Sequence, residues 1–122
     1  MVLKVYTDAS VTKRKTVIGF VIKNKNETVY QSIISAQTQN VNYAELLAVK
    51  EALMLAKEKK LYGFKIYTDS MYVLKKLTKE LKEYNKEVNK MKLMMLEQRA
   101  SIEWVKGHSN NKGNIEVDKI IK

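Results

Sequence analysis

One short pattern occurs twice in the chain, as Val5-Tyr6-Thr7-Asp8-Ala9-Ser10 and as Ile66-Tyr67-Thr68-Asp69-Ser70. Each copy is an apolar, β-branched and aromatic run that ends in Thr-Asp and passes into small residues, as a strand does where it leaves a sheet. Set side by side and parallel, the two strands bring both aspartates to one carboxyl edge, where open α/β sheets hold their ligands. A plainer alternative makes Asp8 a turn residue and Asp69 or Ser70 a helix N-cap, roles that Asp and Ser often fill. The matching contexts favour the paired arrangement.

The rest of the pattern supplies the elements around that pair. Val2 to Thr7 is β-rich, and Thr16–Lys23 and Thr28–Ser35 read as a hairpin joined by Asn24-Lys25-Asn26-Glu27. Asn42–Lys59 shifts to helical period and ends before Gly63. A strand over Phe64–Thr68 and a helix from about Ser70 follow, then a Lys- and Glu-rich helix over Glu83–Arg99. Ser101–Lys106 reads as the last strand, followed by a polar loop and a short helix from about Gly113. The order βββαβααβα predicts an α/β fold: a five-stranded mixed sheet, three antiparallel strands then two parallel additions, with helices on both faces. No linker or repeat divides the 122 residues, so a single domain over 1–122 is expected.

Glu45 sharpens the functional reading. At about 100° per residue, Val49, Ala52, Leu53 and Ala56 fall on its side of the helix, and Lys50, Glu51, Lys57 and Glu58 fall opposite. A carboxylate aimed at a core costs several kcal/mol, on the order of that for any desolvated ion, unless it is paired or holds a cation. A structural salt bridge is the alternative, but the stripe offers no Lys or Arg in the neighbouring turns. Asp118 repeats the motif, with Ile115 and Ile121 three residues to either side on one face. A frayed, solvated helix end is the alternative there.

Charge supplies the contrast. Twenty-three Lys and Arg stand against thirteen Asp and Glu, a formal net charge of +10. Such an excess suits a polyanion partner, although lysines that merely solvate a surface would give it too. Within so basic a chain, four acids on inward faces or at one sheet edge call for hard divalent cations with oxygen ligands, and Mg²⁺ suits carboxylates plus phosphate oxygens. Two ions about 4 Å apart can clamp the attacking and leaving oxygens of a phosphodiester. A basic surface, an acidic metal site and a polyanion together describe a nuclease. Zero cysteines exclude disulfides, thiol nucleophiles and cysteine zinc sites, and a single His excludes His-rich ones. No apolar run approaches the roughly 20 residues of a bilayer span, and the start MVLKVYTDAS lacks the design of a secretory signal. A soluble, cytoplasmic protein is expected.

VYTDAS, YAELLAV, IYTDSMYV and WVKGHSNNKGNIEVD, in that order, resemble the type 1 ribonuclease H family, whose members cut the RNA strand of RNA–DNA hybrids. The resemblance runs nearly end to end and implies the RNase H-like fold. It implies that Asp8, Glu45, Asp69 and Asp118 are catalytic carboxylates holding two Mg²⁺ ions, with Mn²⁺ able to substitute. Asp8 would bridge both ions, Glu45 and Asp69 would complete the first, and Asp118 would hold the second. Hydrolysis would leave 3′-hydroxyl and 5′-phosphate ends. His108, alone in its loop and otherwise unremarkable, matches a catalytic His that assists proton transfer or product release, work suited to a pKa near 6.5.

Substrate contacts are carried over with less support from the residues themselves. The family tells RNA from DNA by 2′-hydroxyl contacts in the minor groove, for which Ala9, Ser10, Asn42 and Met71 are candidates. Ser70 resembles a residue near the hybrid's backbone, and Asn114 either orients the site or caps the last helix. Lysines 75, 76, 79, 82, 86, 90 and 92 form a run from which one or two phosphate contacts are expected. The chain departs from many members at its first loop, Val11-Thr12-Lys13-Arg14-Lys15-Thr16, which is charged where theirs is glycine-rich. It also lacks room for a tryptophan-rich basic protrusion between Asp69 and Trp104, and Trp104 itself is expected in the core. The expected partner is an RNA–DNA hybrid bound by a monomer, with no membrane. The alternatives are a hybrid-binding module of the same fold without turnover and a DNA-cleaving relative of the resolvase or integrase kind.

Overall fold

The computed structural model describes residues 2–79, 85–106 and 112–121. Its elements run β1 (Leu3–Val11), β2 (Thr16–Asn24), β3 (Glu27–Ala36), α1 (Val41–Glu58), β4 (Lys65–Thr68), α2 (Met71–Thr78), α3 (Lys86–Glu97), β5 (Ser101–Trp104) and α4 (Lys112–Ile121). The strands form one five-stranded mixed sheet, as predicted, in the order β3-β2-β1-β4-β5. The first three pair antiparallel, and β4 and β5 add in parallel.

Strand β1 is longer than its sequence pattern indicates, because two partners use different lengths of it. β2 pairs with it from Leu3 to Val11, whereas β4 pairs only from Lys4 to Tyr6. Beyond Tyr6 and Tyr67 the two parallel chains therefore carry Thr7 and Thr68, then Asp8 and Asp69, to the same edge of the sheet.

Helix α1 crosses one face of the sheet. Asn40 caps it by accepting the Tyr43 N–H at 3.0 Å. Val49, Ala52, Leu53 and Ala56 are buried, with Val5, Phe20, Ile22 and Ile66 beneath them and Val73, Met91 and Met95 of α2 and α3 alongside. Closer to its amino terminus the stripe narrows to Ala44 and Ala48, which pack with Ile18 of β2. Small side chains there bring the first turns of α1 close to the strands, and Glu45 comes with them. The helix does not use Gly63 to stop. Lys60 takes the left-handed conformation (φ 56°), its N–H bonds Lys57 O, and Leu61 N–H bonds Ala56 O. Arg99 ends α3 in the same way.

Helix α4 lies on the other face, over Tyr6, Val21 and Tyr67, with Val117 and Ile120 turned toward them. Its buried stripe is Gly113, Asn114, Val117 and Ile121. The expectation that Ile115 shares an inward face with Asp118 is corrected: Ile115 is exposed, because the spacing of Asn114, Val117 and Ile121 rotates it away from the sheet. Gly113 allows the close approach, since a Cβ there would sit 2.2 Å from the Tyr6 ring. Glu116 fixes the helix laterally, accepting from Lys23 Nζ of β2 at 2.8 Å and from the Thr28 hydroxyl of β3. Those partners, Lys23 first, hold its carboxyl below the usual range. Among the described residues, no helix is long and apolar enough to cross a membrane.

Replacing Gly113 by Ala is expected to lift α4 off Tyr6 and to destabilise the protein by about 1–3 kcal/mol. Thermal melts of the two proteins check this, and equal midpoints would show that α4 does not need the contact.

Candidate active site

The carboxyl edge of the sheet is where side chains from four elements meet. Asp8 projects from β1, Glu45 from the second turn of α1 and Asp69 from the residue after β4. Each of these three offers a carboxylate oxygen, and the three oxygens lie within 4.8 Å of one another. With Asn114 and Asp118 of α4 they line a cavity of about 290 Å³. The sheet and both helix layers thus deliver all four sequence-predicted acids to one place.

Burial and repulsion dominate the electrostatics. Asp8 is 5% exposed and Glu45 7%. Desolvation, then the charge of Asp69, pushes the Asp8 carboxyl up to about 7, with Asp118 adding to the shift. Desolvation, followed by the charges of Asp8 and Asp69, pushes Glu45 up to about 9. Against this the protein sets one backbone donor. The Ala9 N–H donates to Asp8 Oδ1 at 2.9 Å and to Glu45 Oε1 at 3.1 Å. Among the described residues, nothing hydrogen-bonds the buried Glu45 Oε2. A buried carboxylate oxygen with no donor, beside two further carboxylates, is what a hard cation requires, so the residues present fit divalent metal ions.

The other predicted residues fall around this centre. Asn114, the third residue of α4, is buried in the cavity wall and is not the helix cap. Asn42, Ser70 and Met71 line a second cavity of about 290 Å³ that shares Glu45 and Asp69. Ser70 also caps α2, accepting the Val73 N–H at 3.2 Å, so the capping role weighed for it is present. Ser10 lies further along β1, in a neighbouring concavity. His108 and Lys82 lie outside the described residues.

Trp104 corrects the sequence reading. It is 40% exposed because β5 is a four-residue edge strand that ends at the rim of the site. Its indole N–H donates to the Asp69 backbone oxygen at 3.1 Å, and Val105 N–H bonds Thr68 O at 2.8 Å. The end of β4 is therefore pinned from β5, which holds Asp69 in place. The pattern of a strand ending beside a parallel neighbour was the one signal for this, and an aromatic side chain alone reads as core.

The RNase H family model matches residues 2–122. A protein named Ribonuclease H from Orientia tsutsugamushi (strain Boryong) is 34% identical over 137 residues, covering 97% of this chain and 79% of that protein. The crystal structure of RNase H1 from the halophilic archaeon Halobacterium salinarum NRC-1 superposes with a TM-score of 0.74 at 19% identity, covering 98% of this chain and 93% of that one. LC11-RNase H1, isolated from compost by a metagenomic approach, gives a TM-score of 0.78 at 20% identity, covering 98% and 91%. The two structures share the fold.

The raised carboxyl groups set a pH dependence for the metal-free protein. Both titrate higher in the folded chain than in the unfolded one, near 7 and 9 against 3.8 and 4.5. Their contribution to stability is complete below about pH 4 and is lost as pH rises through 7 and then 9. In chelator, Asp8→Asn is expected to melt above wild type at pH 8 by roughly 4 °C or more, with the gap closing toward pH 5. Added Mg²⁺ or Mn²⁺ should raise the wild-type midpoint and not that of the variant. A wild type that grows more stable relative to Asp8→Asn as pH rises would overturn the assignment.

Proposed function

The chain belongs to the ribonuclease H family, and on that premise we propose that it is a divalent-metal-dependent endoribonuclease that cuts the RNA strand of RNA–DNA hybrids, leaving 3′-hydroxyl and 5′-phosphate ends. The observation that carries this reading is the meeting of Asp8, Glu45 and Asp69 within 4.8 Å, with Asp118 on the same cavity. Asp8, Glu45, Asp69 and Asp118 would hold two ions, Mg²⁺ or in its place Mn²⁺. Such ions supply Lewis-acid stabilisation of charge developing on phosphate oxygens and make water a better nucleophile at neutral pH.

The chain's own groups prepare the site. The Ala9 amide holds the Asp8 and Glu45 carboxylates at a fixed separation, and the Trp104 indole and the Val105 amide fix the turn that carries Asp69. Cavities on both sides of Glu45 and Asp69 give the substrate two adjoining surfaces. Ala9, Asn114 and Ser10 would meet the sugar-phosphate chain on one side, and Asn42, Ser70 and Met71 on the other. Small polar groups and backbone suit 2′-hydroxyl recognition, which depends on shape and single hydrogen bonds more than on base edges. His108 takes the proton-transfer or product-release role that its WVKGH context implies.

A labelled hybrid incubated with Mg²⁺ or Mn²⁺ tests this. Cleavage of the RNA strand is expected from wild type, with losses of at least about a hundredfold in Asp8→Asn and Asp69→Asn, more than is usual for residues that only support metal ligands. Unchanged cutting by those variants would reject the site. Equal cutting of hybrid and duplex DNA would instead favour a resolvase-like enzyme, and hybrid binding without cleavage would favour a binding module.

A further inference from the structure

β1 continues past the acidic cluster to Val11, and the hairpin then turns through Thr12-Lys13-Arg14-Lys15 before β2 begins at Thr16. Thr12 braces this turn at both ends. Its N–H donates to Lys15 O at 2.9 Å, its hydroxyl donates to the same oxygen at 2.9 Å, and Lys15 N–H donates to that hydroxyl at 3.1 Å. All four turn residues are exposed. Among the described residues, the ion pairs are Lys23–Glu116, Lys50–Glu87 and Lys65–Glu103, so no carboxylate neutralises Lys13, Arg14 or Lys15. Beneath the turn lies a concavity of about 390 Å³, walled by Ser10, Thr12 and Lys15 and floored by Val17, Ile33 and Ile120.

Three adjacent cations in a braced turn repel one another and add nothing to the core, so the fold itself gives no reason for them. Their position does. Lys13 is five residues beyond Asp8, at most about 17 Å of extended strand, on the same edge of the sheet. Each nucleotide advances a strand by about 3.4 Å along the duplex axis, so that reach covers about five base steps. We propose that the Lys13-Arg14-Lys15 turn is a phosphate-binding element that holds the nucleic-acid backbone within about five base steps of the reacting phosphate. It rests on the hybrid-cleaving function above and names a surface for it. The turn offsets the repulsion that a cluster of carboxylates exerts on an incoming polyanion, and it does so beside the site without neutralising the ligands.

The test compares wild type with Lys13→Ala/Arg14→Ala/Lys15→Ala. A control, Lys4→Ala/Lys57→Ala/Lys59→Ala, removes the same charge at the opposite edge of the sheet. Hybrid cleavage and hybrid binding by fluorescence anisotropy are both read between 50 and 200 mM salt. For the turn variant, KM and Kd are expected to rise at least tenfold at 100 mM salt, with kcat within twofold of wild type. The slope of log Kd against log salt should flatten by about 2, the change expected on losing two or three phosphate contacts. The control should keep the wild-type slope. Equal losses in turn variant and control would reduce the effect to net charge and overturn the proposal, as would an unchanged Kd or a loss confined to kcat. If wild type binds the hybrid without cutting it, the cleavage assignment falls while the binding data still decide the role of the turn.

Discussion

A carboxylate that leaves water loses several kcal/mol of solvation, and a second or third carboxylate nearby adds repulsion to that loss. Asp8, Glu45, Asp69 and Asp118 are gathered under those conditions, and much of the fold serves to keep them there. Asp8 lies on the long central strand and Asp69 directly follows the short parallel one beside it. Glu45 is carried in by a helix whose first turns are thinned to alanine where they meet Ile18. Opposing their repulsion is an apolar core on both faces of the sheet, under α1 on one side and α4 on the other.

The fourth acid is delivered by the last helix in the chain. α4 is held by a small cluster of Tyr6, Val21 and Val117, by the close approach at Gly113 and by Glu116 reaching Lys23 and Thr28. It carries Asp118 and Asn114, so the completeness of the acidic set depends on how well ten residues dock. Tyr6 stacks on Tyr67 at 4.9 Å beneath it. Tyr6 and Tyr67, each two residues before an aspartate, therefore also make the platform for the fourth acid. Docking of α4 and placement of Asp8 and Asp69 are coupled through the same pair of rings.

Much of this was legible in the sequence, for physical reasons that differ by element. Strands β1 and β4 could be paired because their ends are nearly the same words, and Glu45 stood out because helical period placed a charge in an apolar stripe. Long, periodic segments carry such signals. Short ones do not: α4 offers three turns, so the Asp118–Ile115 relation fitted an inward face although the stripe centres on Val117. An aromatic side chain reads as core from sequence, but burial is set by what covers it, and Trp104 at the end of an edge strand is 40% exposed. The Ala9 amide, shared by two carboxylates, has no side-chain signature at all. The carboxyl ends of α1 and α3 fall within two residues of their sequence bounds, but the left-handed conformation of Lys60 and Arg99 has no signal in residue type, being imposed by the hydrogen bonds of the last turn.

The chain's internal resources against the acid repulsion can be ranked by size. α1 begins at Val41, four residues before Glu45, and α2 begins at Met71, two residues after Asp69. Both therefore point positive helix ends toward the cluster, each worth about 0.3–1 kcal/mol near a surface. The Ala9 hydrogen bonds to charged acceptors add roughly 1.5–3 kcal/mol each at best. Burial and the neighbouring carboxylates push the Asp8 and Glu45 carboxyls well above the usual range despite the Ala9 amide, so their charged forms stay disfavoured. Dipoles and amides thus fall short of what four ionised acids require. Protonation would make up the difference only by removing the oxygens that the proposed metal site would need as ligands. Divalent cations would reverse the sign of that balance without the loss, which is the physical case for the proposed metal site in so basic a chain.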